Sequence, residues 1–185
     1  MDSLYSALIP DATVRVQAQI ATVLRAFPES IVRRVAKFGG IVRALKLRER
    51  YCEVSPALQR LGIDVDGWPA PPAGLFVVEE RTVYLRSRSP MTIAHEFGHA
   101  IDCALGGGVY LSGDNPEIRR AFLDARSFVT PYAATGIDEY FAESIRAFIE
   151  VNDASSHWPK ATKARLQSAD PAMYEIVESL LSCAT

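Results

Sequence analysis

Residues 92–102 read TIAHEFGHAID, a stretch that sets two histidines, His95 and His99, four positions apart with Glu96 directly after the first. On a helix, residues four apart share a face and hold their Cβ atoms about 5–6 Å apart. That separation suits two Zn–N bonds of about 2.0–2.1 Å. Ser89-Pro90 supplies a helix start, with Ser as N-cap and Pro at the first helical position, and Gly106 supplies a stop. Ile93, Phe97, Ile101 and Ala104 then form one stripe, and His95, His99 and Asp102 form another. One stripe can enter a core while the other presents both imidazoles to a single point. Glu96, one residue around the helix, flanks the place where a bound water would sit. Two histidines do not hold a metal securely, so the spacing predicts a third ligand elsewhere.

The candidate lies in VTPYAATGIDEYFAESIRAFIE, residues 129–150. Thr135 is the expected N-cap of a helix whose apolar face carries Ile137, Phe141, Ile145, Phe148 and Ile149. Glu139, Glu143, Arg146 and Glu150 fall on the other side. Glu139 would complete a His₂Glu site with one position open, and Glu143, a turn later, would accept the free ring N–H of a liganding histidine. The pattern alone fits an acidic solvent face equally well. Asp102 either supports the metal ligands from behind or caps a surface turn. Cys103 reads as a buried thiol, and His157, beside Trp158-Pro159, as a surface histidine.

HEFGHAID followed by YAATGIDEYFAE resembles the catalytic core of the anthrax lethal factor-like zinc metallopeptidases, a gluzincin group that includes the Pro-Pro endopeptidases. In that pattern a tyrosine precedes the glutamate ligand by seven residues and a second glutamate follows it by four; Tyr132, Glu139 and Glu143 hold those places. LQSADPAMYEIVESLL is similar to the family's closing helix, so the resemblance spans roughly residues 75–183. It implies a zinc endopeptidase of toxin or effector type. In it His95, His99 and Glu139 bind Zn²⁺, Glu96 is the catalytic base, Tyr132 assists at the oxyanion, and Glu143 orients a ligand.

The rest of the chain is compatible with that expectation. Its 185 residues, 49% hydrophobic and 23% charged, describe an ordinary globular protein. No apolar run approaches the ~20 residues of a membrane span, and the N-terminus has no secretory signal pattern. The expected location is the cytosol, or outside the cell by a signal-independent route. A net charge of −2 gives no drive toward nucleic acid, so the expected partner is a peptide or protein substrate. Cys52, Cys103 and Cys183 show no disulfide or zinc spacing.

Helical spacing predicts a helix over 11–27, ending at Pro28, and a second helical stretch from about 30 to 48, broken or kinked at Gly39-Gly40. The second holds the most basic stretch and reads as a solvated face. Residues 75–78 and 82–85 read as a hairpin, with 82–85 the candidate edge for substrate pairing. The Gly-rich loop 106–114 is no phosphate-binding loop. These elements predict an α+β fold, a zincin-like core over 66–185 preceded by an N-terminal helical region over 1–65. Two alternatives stay open: a cytosolic regulatory metallopeptidase that cleaves a repressor or inhibitor, and a non-enzymatic module with structural zinc.

Overall fold

The computed structural model describes residues 3–156 and 160–182; the readings of His157 and Cys183 lie outside the described residues. Along the chain run α1 (Ser3–Leu8), α2 (Val14–Leu24), α3 (Glu29–Lys37), β1 (Ile41–Ala44), α4 (Tyr51–Val54), α5 (Pro56–Leu61), β2 (Gly74–Val77) and β3 (Thr82–Leu85). There follow α6 (Pro90–Leu105), α7 (Leu111–Asp114), α8 (Pro116–Asp124), α9 (Ile137–Phe148), α10 (Lys163–Ala169) and α11 (Pro171–Ser182). The class is α+β as expected, with one small three-stranded sheet among many helices.

The signals at the ends of α6 act as its sequence predicts. The Ser89 hydroxyl accepts the Thr92 amide at 3.1 Å, Pro90 follows, and the helix ends before Gly106. Both stripes of α6 are covered, since every residue from Ile93 to Ala104 is buried. Phe97 meets Phe27 edge-on at 5.1 Å, and Ile101 shares a core with Ile31 and Val35, so α2 and α3 pack where the apolar stripe points.

On the other side α9 packs across α6, and the two backbones nearly touch. A Cβ built on Gly98 would lie 3.0 Å from the Ala142 Cα and 3.2 Å from its Cβ. Only small residues at both positions permit that approach. The helix itself begins later than predicted: Gly136 is the N-cap. Thr135 instead donates its hydroxyl to the Tyr132 carbonyl at 2.7 Å, closing the 3₁₀ turn Tyr132–Ala134. The local turn satisfies the threonine before the helix can use it.

The stretch 30–48 is broken at Gly39-Gly40, as one of the two expected outcomes had it, but its second half is not helical. After α3, Gly39 takes a φ of +89° and the chain turns back as β1, parallel to β3, with Ile41 opposite Thr82 and Ala44 opposite Leu85. The β-branched Ile41-Val42 pair suits a strand, but its partner lies some forty residues ahead, and pairing rather than local spacing settles the conformation. The expected hairpin is present, β2 antiparallel to β3. The sheet order β1-β3-β2 makes β3 the central strand, so residues 82–85 are not the edge the sequence suggested; the edges are β1 and β2. The closing helix is two, α10 and α11. They are separated at Asp170, whose carboxylate accepts the Met173 amide at 3.0 Å.

Replacing Gly98 with Val forces a branched side chain into the α6–α9 crossing and should cost about 1–3 kcal/mol of stability. A urea midpoint equal to wild type would show that the crossing has slack.

Candidate metal centre and cleft

α6 and α9 bring three donor atoms to one point. His95 Nε2 lies 3.2 Å from His99 Nε2, and Glu139 Oε2 lies 3.0 Å from the first and 3.3 Å from the second. Ligands about 2.0–2.1 Å from a tetrahedral zinc stand about 3.3 Å from one another, so this set could hold a metal ion with little adjustment. Glu139 Oε2 is buried yet aligned with neither ring nitrogen for a hydrogen bond. A buried oxygen in that condition suits a place where an ion could sit.

The electrostatics agree. Burial pulls the His95 pKa down, but the adjacent carboxylates of Glu139 and Glu143 outweigh it and raise the pKa to about 10. Burial also opposes ionisation of Glu139, whose contacts with His95 and His99 nonetheless hold it well below the usual carboxylate range. A place that attracts a proton this strongly attracts a cation for the same reason.

Behind His95 stands a closed hydrogen-bond network. Glu143 Oε1 accepts His95 Nδ1–H at 2.9 Å and Arg146 Nε–H at 2.8 Å. Its Oε2 accepts the Thr130 hydroxyl at 2.6 Å and Arg146 Nη2–H at 2.8 Å. With Nδ1–H held by Glu143, the ring would turn an Nε2 lone pair inward once a cation displaces the second proton. Arg146, 2% exposed, also donates through Nη1 to the Val151 carbonyl and to Asn152 Oδ1, both at 3.1 Å. The charge that looked like part of a solvated face in the sequence is buried; its i,i+3 spacing from Glu143 was the one available signal. Nothing in the sequence pointed to Thr130 or Asn152.

Glu96 is buried beside the donors, and burial pushes its carboxyl pKa up against the pull of the His95 and His99 rings. The first residue of β2 lies directly on it: a Cβ on Gly74 would come within 2.4 Å of Glu96 Cγ and 2.8 Å of Oε1. Tyr132 is 45% exposed, its ring centroid 5.4 Å from that of His95, and its hydroxyl donates to Glu139 Oε1 at 3.1 Å. A cavity of about 260 Å³ adjoins these groups, with Pro72, Ala73, Met91, Thr92 and Thr130 in its walls beside His95 and Glu96. A larger groove of about 780 Å³ between α8 and α11 contains none of them.

Asp102 does not reach a histidine ring. Its carboxylate accepts the Ser112 amide at 2.8 Å and the Ser112 hydroxyl at 2.5 Å, and His99 Nδ1 is buried with no hydrogen-bond partner among the described residues. Through these two bonds Asp102 holds the start of α7 against α6. A second cluster, Cys52 with Asp64 and Asp66, is no comparable centre, because Arg50 and Arg86 already pair its carboxylates.

Replacing Arg146 with Met leaves Glu143 charged and buried without its partner, a loss expected at about 3–5 kcal/mol. Pairing it with Glu143→Gln should recover much of that loss. Additive losses in a double-mutant cycle would mean that the two side chains do not act together.

No protein-family model matches the chain, and none of the curated proteins does. Among solved structures, it is similar to the Pro-Pro endopeptidase from Paenibacillus alvei, with a TM-score of 0.65 and 22% identity over 96% of this chain and 99% of that one. The fold is therefore the zincin-like α+β fold of that endopeptidase.

Proposed function

We propose that this protein is a zinc-dependent endopeptidase in which His95, His99 and Glu139 hold the ion, Glu96 is the general base and Tyr132 assists at the oxyanion. What carries the proposal is the convergence of His95 Nε2, His99 Nε2 and Glu139 Oε2 within 3.0–3.3 Å of one another beside a buried carboxylate. A purely structural zinc has no need of Glu96 at that place. The shared fold with an endopeptidase supports a peptide as substrate.

Zinc, when bound, supplies a water acidified to a pKa near ~7 and polarises the carbonyl to be attacked. The residues of the chain do the rest. Glu96, with its raised affinity for a proton, accepts one from the attacking water and delivers it to the leaving amine. Glu143 keeps His95 in the tautomer that directs Nε2 inward. Tyr132 stays protonated because burial and Glu139 both raise its pKa. Its phenol can leave Glu139 and donate to the oxygen on which charge develops. An extended peptide pairs with the free edge of β2, whose first residue, Gly74, has no side chain to hold the chain away from Glu96. The described part of the N-terminal region, residues 3–65, braces α6 through the Phe27–Phe97 contact and contributes none of the residues around the 260 Å³ cavity.

Zinc-loaded protein should cut members of a diverse peptide library that includes Pro-Pro sequences, with the products read by mass spectrometry. Glu96→Gln should bind zinc in the same stoichiometry and cut nothing, and a chelator should abolish the wild-type cuts. A folded, zinc-loaded wild type that leaves the library intact would count for the structural-zinc module. Tyr132→Phe should slow turnover by about ten- to a thousandfold; unchanged turnover would remove Tyr132 from the reaction.

A further inference from the structure

The loop between α6 and α7 has no part in the mechanism above, yet it is built with care. A Cβ on Gly106 would fall 2.2 Å from the Val109 carbonyl oxygen, so only glycine allows the fold-back. Gly107 and Gly108 have φ of +71° and +120°, conformations that glycine adopts without strain. The Gly108 amide bonds to the Cys103 carbonyl at 3.0 Å, and Ser112 at the far end is held by Asp102 through two hydrogen bonds. The loop is tied to α6 at both ends, and between the ties it carries Tyr110.

Tyr110 lies against His99, as Tyr132 lies against His95. Its ring centroid is 5.7 Å from that of His99 and 6.3 Å from that of Phe76, the third residue of β2. Each histidine of the site thus has a tyrosine against it. Tyr132 is hydrogen-bonded to Glu139. The Tyr110 side chain is partly buried, and its hydroxyl, in the neighbourhood of Asp102, Asp138 and Glu96, makes no hydrogen bond among the described residues. A phenol that the loop holds beside His99 and β2, with its hydroxyl uncommitted, is free to donate to the carbonyl oxygen of a bound peptide.

We infer that Tyr110 is a substrate-binding residue whose phenol donates to a main-chain carbonyl of the peptide lying along β2, at the His99 end of the cleft. The inference rests on the endopeptidase reading and extends it. Asp102 and Ser112 then act as positioning residues, because they fix the loop that presents the phenol.

The test uses the full chain, zinc-loaded, with a peptide chosen from those the wild type cuts. In the non-cleaving Glu96→Gln background, adding Tyr110→Phe should weaken binding of the fluorescent peptide about two- to tenfold, the loss of one hydrogen bond. In the wild-type background, Tyr110→Phe should raise KM by a similar factor with kcat nearly unchanged. Zinc content and the urea midpoint should also hold. Tyr110→Leu should lose the hydroxyl effect and the ring contact together. Equal peptide affinity and equal KM in Tyr110→Phe would overturn this proposal alone, as would a fall in midpoint with no change in KM. A wild type that neither cuts nor binds any peptide of the library would overturn the endopeptidase reading and this inference with it.

Discussion

The close crossing of α6 and α9 at Gly98 and Ala142 is the constraint on which the site depends. Glu139 reaches the two histidines because the backbones approach until a single added methyl would meet the Ala142 Cα at 3.0 Å. Larger residues at the crossing would set the axes apart, and Glu139 would no longer stand within 3.3 Å of both rings. The glycine between the histidines is therefore part of the geometry of the centre, although it has no side chain. The apolar stripe of α6, packed on α2 and α3 through Phe27 and Ile31, presses the helix toward that crossing from the opposite side.

A buried centre with this many charges is stable only if each has a counterpart. Glu143 has four: the His95 ring, two nitrogens of Arg146 and the Thr130 hydroxyl. Arg146 in turn spends its remaining donor on Val151 and Asn152, and Asn152 accepts the Ala161 amide at 2.9 Å. The result is a continuous connection from the segment after α9 to the ring of His95. Such a network fixes a tautomer and a ring orientation as no single hydrogen bond can. Glu139 Oε2 is the exception, a buried oxygen without an aligned partner at the point where the donors converge.

The sheet supplies the other wall of the cleft, and its order decides how. With β3 in the centre, β2 is left with one edge unpaired, and its first residue is a glycine pressed on Glu96. β1 takes the far side of β3 and draws residues from the N-terminal region into the same sheet. Edge and Glu96 thus meet at Gly74, so that under the proposed function main-chain recognition of a peptide would occur where the proton transfer does.

Much of the centre was legible in the sequence because it is written in local periodicity. The i,i+4 spacing of His95 and His99 places both rings on one face of any helix, whatever the rest of the chain does, and Ser89-Pro90 and Gly106 bound that helix with short-range signals. The same spacing links Glu139 to Glu143. What tertiary structure alone decided are the relations between elements. Residues 41–44 became a strand because β3 was there to pair with. Arg146 became buried because Glu143 faces His95 rather than water. Asp102 turned to Ser112 instead of a histidine because the Gly-rich loop folds back onto α6. A helical repeat fixes which side chains share a face; only packing decides which faces meet, because that depends on surfaces brought together from distant parts of the chain.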